Sequence, residues 1–110
     1  MPQFMYQFAY TPESWAAQLK NPQNRVETVG KQVCEAAGAR LVGAWLCFGE
    51  YDAVLIIDAP DNESMAAIAL AVDAGGALKV GKTTALMSAS QGVTALKKAE
   101  AVAKVYRPAR

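Results

Sequence analysis

Histidine is absent from this 110-residue chain, and its absence removes several chemistries at once. The chain has no imidazole to ligate haem, to pair with a nucleophilic serine or cysteine, or to complete the common zinc sites. Cysteine is scarce too. Cys34 and Cys47 stand too far apart for a CxxC motif, one in a helical and one in a strand pattern, and read as buried free thiols of a reducing compartment. No charge of either sign is in surplus. A formal net charge of +1 leaves no basic stripe for nucleic acid and no electrostatic attraction to a membrane surface. No apolar run reaches membrane-spanning length, and no basic segment followed by an apolar stretch opens the chain, so a cytoplasmic location is expected. Internal repeats and low-complexity linkers are missing as well. With 53% hydrophobic and 19% charged residues, the length suits one domain with one core.

The rest of the chain can be placed around one stretch, Leu41 to Asp58. Two apolar runs, LVGAWLCF and DAVLIID, flank Gly49-Glu50-Tyr51, which reads as a β-hairpin with a short connection at the glycine. Strict alternation puts Leu41, Gly43, Trp45 and Cys47 on one side and Val42, Ala44, Leu46 and Phe48 on the other. Tyr51, Ala53, Leu55 and Ile57 share one face of the second strand, with Val54 and Ile56 on the opposite one. Both faces are apolar, so such a sheet needs cover on both sides.

Upstream, residues 3–10 alternate as a strand with Phe4, Tyr6, Phe8 and Tyr10 on one face. Thr11-Pro12-Glu13 starts a short helix, with Trp15 and Leu19 expected inward. Pro22 interrupts it. A second helix then places Val26, Val29, Val33 and Ala37 along one side, and Gly38 ends it. Downstream, Asp61 caps a helix running to about Asp73, with Met65, Ile68, Ala69 and Val72 inside. The other side of that helix, Ala67, Leu70, Ala71 and Ala74, carries almost no charge. After Gly75-Gly76, Leu78 to Met87 reads as a fourth strand. From Ser90 a helix carries Val93, Leu96, Ala99 and Val102 at helical spacing. The expected division is a domain over 1–88 and a C-terminal amphipathic helix over 89–110, packed on the same domain and covering the alanine face.

The order β-α-β-β-α-β defines an α+β, ferredoxin-like class with an antiparallel four-stranded sheet, plus one additional C-terminal helix. Over residues 3–88 the chain resembles the GYD-domain family: Thr11-Pro12, Pro22-x-x-Arg25, Gly38 ahead of Leu41-Val42-Gly43, Gly49-Glu50-Tyr51-Asp52-Ala53-Val54 and Ala59-Pro60-Asp61 fall as they do there. Ser14-Trp15 departs from the family, which often has glycine in the first helix. The resemblance implies a dimeric α/β barrel type, in which a homodimer or higher homo-oligomer places two sheets face to face. It implies no particular reaction, because relatives by fold include cofactor-free monooxygenases, lactone isomerases, haem enzymes and effector domains of transcription regulators.

Three sets of residues invite chemistry. Glu50, Tyr51 and Asp52 are the catalytic candidates, since alternate carboxylates on a strand suit acid/base work; the competing role for Asp52 is to bond backbone N–H groups at the turn. Tyr6, Trp45 and Tyr51 are the ligand-binding candidates, as walls of a pocket between sheets, with core and dimer packing as the alternative. Gly76 to Thr83 formally satisfies GxxxxGK[ST], but a helix precedes the segment and the segment itself reads as a strand, the reverse of a phosphate-cradling loop. No cofactor, metal, nucleic acid or membrane is expected. The leading expectation is an oligomeric domain that binds a small apolar molecule. A cofactor-independent isomerase, cyclase or monooxygenase comes second, and a purely structural interaction module third.

Overall fold

The computed structural model describes residues 1–110. Its elements are β1 (Gln3–Tyr10), α1 (Pro12–Lys20), α2 (Arg25–Ala36), β2 (Arg40–Leu46), β3 (Ala53–Asp58), α3 (Asn62–Ala74), β4 (Leu78–Leu86) and α4 (Ala89–Val105). The four strands form one antiparallel sheet in the order β2-β3-β1-β4. This is the ferredoxin-like arrangement followed by a fourth helix.

Period-2 patterning decides the inner face. Phe4, Tyr6 and Phe8 on β1 stand opposite Ile57, Leu55 and Ala53 on β3, and these six and Tyr10 are buried. The β1 rings form an aromatic row that continues into α1: Tyr6–Phe8, Phe8–Tyr10 and Tyr10–Trp15 have centroids 5.6, 5.2 and 5.0 Å apart. The last two pairs meet edge to face, the favoured geometry for aromatic quadrupoles. Cys34 of α2 and Met65 and Ile68 of α3 complete the core.

Local chemistry sets the helix ends. Thr11, Asp61 and Ser88 each accept a hydrogen bond from the backbone N–H three residues on, and the Gln91 side chain accepts one from the Ser88 N–H, closing a capping box. Gly38, at φ +71°, turns the chain out of α2 in a conformation side chains avoid.

Three expectations are corrected. Val42 is the extra residue of a β-bulge: Leu41 pairs with Ile57 and Gly43 with Ile56. The bulge reverses parity, so Leu41 and Ala44 face the helices while Gly43 and Trp45 face away. The hairpin connection is also longer than expected, spanning Cys47 to Asp52. The Asp52 backbone N–H donates to Phe8 on β1, and its carbonyl accepts from the Cys47 N–H, so the chain reaches β3 only at Ala53. Leu19, expected inward, is 78% exposed because α1 buries no residue and touches the core through Trp15 alone.

Helix α4 differs from its expected place. It follows β4 after only Met87 and Ser88, buries none of its residues, and does not pack along any other element; the chain extends 59 Å along its longest axis. The alanine face of α3 is therefore open within one chain, with Leu70 exposed.

Candidate functional site

Helix α2 packs chiefly on β2, and α3 on β4, so the central strands are roofed from two sides with a gap between. The gap is a cleft of about 300 Å³. Its floor is Tyr6, Phe8, Tyr10, Leu55 and Ile57. One wall is the inner side of α2 from Arg25 to Cys34, and the other is Ile68, Ala71 and Val72 of α3 with the turn Gly75–Leu78. The volume lies at the lower end of the range for small-molecule sites. Fourteen of its seventeen lining residues are hydrophobic, so an occupant is held mainly by apolar burial. At Gly30 the α2 backbone comes so close to the sheet that a Cβ would lie 3.3 Å from methyl carbons of Leu41 and Leu55.

Polar groups at the cleft are few and specific. The Tyr6 hydroxyl donates to Asp73 Oδ1 at 2.8 Å. Burial, then this hydrogen bond and the aspartate charge, push the Tyr6 pKa upward, so the phenol stays protonated and remains a donor. Gly81 makes the pair possible, because a Cβ there would lie 2.9 Å from the Tyr6 hydroxyl and 3.0 Å from the carboxylate. Burial also raises the Tyr10 pKa; the Arg25 charge opposes the shift and Asp52 adds to it. Burial, with Glu35 nearby, raises the Cys34 thiol, which makes it a packing residue of low nucleophilicity.

The proposed site residues separate. Tyr6 lies on the cleft floor. Trp45 lies on the opposite face of the sheet, 56% exposed, its ring folded so closely over Gly43 that a Cβ there would lie 2.6 Å from the indole. Tyr51 is half-buried in the β2–β3 connection, where its carbonyl accepts from the Cys47 thiol, and it does not line the cleft. Glu50 is exposed in the same connection. Asp52 Oδ2 accepts from the Tyr10 backbone N–H at 2.9 Å and from Trp15 Nε1 at 3.2 Å, which makes it a clamp joining the connection to β1 and α1. Sequence reading missed Arg25, Tyr10 and Asp73 as site residues. Arg25 opens a helix and Asp73 closes one, and no periodicity distinguishes them from solvated charges. The segment Gly81-Lys82-Thr83 lies within β4, away from any helix start.

At the far end of the sheet, Arg40 Nη2 donates to Asp58 Oδ2. The Gln3 side chain first, and then Arg40, hold the Asp58 carboxyl below the ordinary carboxylate range.

The GYD-domain model matches residues 4–101. The chain belongs to the GYD-domain family. The match runs through most of α4. No functionally curated protein matches its sequence. Among solved structures, it is similar to MtbAldR at 15% identity and a TM-score of 0.60, over 79% of this chain and 52% of that one. It is thus similar to about half of MtbAldR. Similarity to FFRP-DM1 is 10% identity with a TM-score of 0.53, over 79% of this chain and all of that one. An uncharacterized NIPSNAP domain protein from Burkholderia xenovorans is 20% identical, with a TM-score of 0.49, over 81% of this chain and 95% of that one. At these identities the likeness to the first two establishes the ferredoxin-like fold alone. No helix of the chain is long and apolar enough to cross a membrane.

Proposed function

We propose that this GYD domain binds a small, mostly apolar molecule in the cleft between its sheet and helices α2 and α3, and that it works as a cytoplasmic homo-oligomer. The observation that carries the reading is the cleft itself, about 300 Å³ with an aromatic and aliphatic lining. It replaces a pocket between sheets as the ligand's place, because Tyr6 faces the helices and Trp45 faces away. The open sheet face supports the oligomer: Met5, Val54 and Ile56 are only half-buried there, beside exposed Trp45. A second copy covers this face, and exposed Leu96 and Val102 of α4 offer further apolar area to it.

Native mass spectrometry of gently purified protein tests both parts. The expected result is a dimer or higher oligomer retaining extra mass, with that mass lost in Ala71→Phe, which fills the cleft from an exposed position. An empty oligomer whose Ala71→Phe variant behaves identically contradicts the ligand reading and favours a structural interaction module. A clean monomer contradicts the oligomer.

One observation favours a second reading, a cofactor-independent isomerase. The Tyr6–Asp73 pair sets a carboxylate, held by a phenol O–H, beside an apolar cleft, the arrangement of a general base with its positioning donor. Turnover lost in Asp73→Asn with the retained molecule still bound would select it.

A further inference from the structure

We infer that the cleft takes an apolar anion, an aromatic or aliphatic carboxylate seated with its head at the Arg25 guanidinium and the Tyr10 hydroxyl. The inference rests on the cleft being the ligand site and adds the ligand's charge and orientation.

The polar groups around this apolar space divide into those already engaged and those left free. Two carboxylates stand near it, and protein donors already engage both: Asp73 by the Tyr6 hydroxyl at 2.8 Å, and Asp52 by the Tyr10 N–H and the Trp15 indole at 2.9 and 3.2 Å. Neither needs a ligand cation. Arg25 lines the cleft and forms no ion pair, since the chain's one salt bridge joins Arg40 to Asp58. Tyr10 lines the same space, and its hydroxyl has no protein hydrogen-bond partner and opens to solvent at the cleft, free to meet a ligand. The polar groups left unpartnered at the cleft are therefore an exposed cation and an accessible hydroxyl. Arg25 lowers the Tyr10 pKa against the effect of burial, so the two act on one region.

Both groups can donate to an acceptor, and a guanidinium presents its N–H groups in the fork that matches a carboxylate. Beyond them the lining is aliphatic or aromatic as far as Tyr6, whose donor is already used. This polarity suits a molecule with one anionic end and an unsubstituted apolar body. The cleft's 300 Å³ is about twice the ~150 Å³ in which one benzene sits, which admits a body of about a dozen heavy atoms.

The test compares 2-naphthoate with its neutral methyl ester by isothermal titration calorimetry on the full chain. Expected is binding of the acid about tenfold or more tighter than the ester, as a charge-assisted hydrogen bond supplies. Arg25→Gln should lower the acid's affinity and abolish its advantage over the ester, with the melting temperature unchanged because Arg25 is exposed; Arg25→Lys should restore part of it. Tyr10→Phe should weaken the acid by about threefold. Acid and ester binding equally, both indifferent to Arg25→Gln, would overturn the inference and leave the cleft as an apolar site. Failure of both probes to bind up to millimolar concentration would overturn the reading of the cleft as well.

Discussion

The two faces of one sheet carry similar amounts of apolar side chain and are put to different uses. Toward the helices, Phe4, Tyr6, Leu55 and Ile57 are buried by their own chain. On the other face, Met5, Val54 and Ile56 are half-buried and Trp45 is exposed. Neighbouring residues of one strand thus meet different physics. Ile57 is stabilised by intramolecular packing, while Ile56 has its remaining apolar area available to another molecule. The covered face is not fully filled either. Splayed between β2 and β4, α2 and α3 leave the cleft, so the chain's own packing creates a space for a small molecule on one side and a surface for a large one on the other.

The sharpest way to break this comparison is to truncate its two neighbours. Ile57→Ala should cost about 2–5 kcal/mol in urea unfolding at every protein concentration, the usual loss for a fully buried isoleucine. Ile56→Ala should cost less, and its effect should fade on dilution, because the part lost belongs to assembly. Equal, concentration-independent losses would contradict the distinction. Asp52→Ala comes next, at about 1–3 kcal/mol, since it leaves the Tyr10 N–H and the Trp15 indole without an acceptor; thermal melting reads this. Deleting residues 89–110 should scarcely move the unfolding midpoint of dilute protein, because α4 buries nothing within its own chain, yet should lower the oligomer fraction in sedimentation velocity. A large loss of stability in the dilute monomer would show that α4 packs on its own domain after all.

The smallest effect is one of pH. The folded pKa of Asp58 is depressed, so its contribution is present above the ordinary aspartate pKa of about 3.9 and is lost as pH falls through the lowered folded value. Unfolding curves of the native chain should therefore weaken more steeply below pH ~4 than those of Asp58→Asn. Parallel curves would show that neither the Gln3 contact nor the Arg40 pair contributes, a common result for an ion pair with an exposed arginine.

Much of the fold was legible in the sequence because it rests on local signals. The alternation of residues 3–10, the caps at Thr11 and Asp61 and the glycine after α2 each act over a few residues, and each lies where its pattern points. Val42 was not legible, since nothing in LVGAW distinguishes a bulged valine from a paired one, yet that residue decides which face Trp45 occupies. The placement of α4 failed for a related reason: an amphipathic pattern shows that a helix has an apolar side and does not show whose surface covers it.

Of the proposed site residues, only Tyr6 lines the cleft, and it does so beneath the helices and not between two sheets as expected. The acids of Glu50-Tyr51-Asp52 stood out as a cluster in sequence, but Asp52 is turned to its neighbours' N–H groups, a non-local arrangement set by β1 and α1. Arg25 and Tyr10 meet at the cleft, and Asp73 meets Tyr6, only through packing of α2 and α3 over the sheet, which leaves no trace in spacing.

The most direct test of two faces with two roles is a methyl NMR titration of the isotope-labelled chain with 2-naphthoate. The account predicts shifts at Val26, Val29, Val33, Leu55, Ile57 and Ile68, with Val54 and Ile56 unmoved. Shifts centred on Val54 and Ile56, with Leu55 and Ile57 silent, would place the ligand on the open face and contradict it.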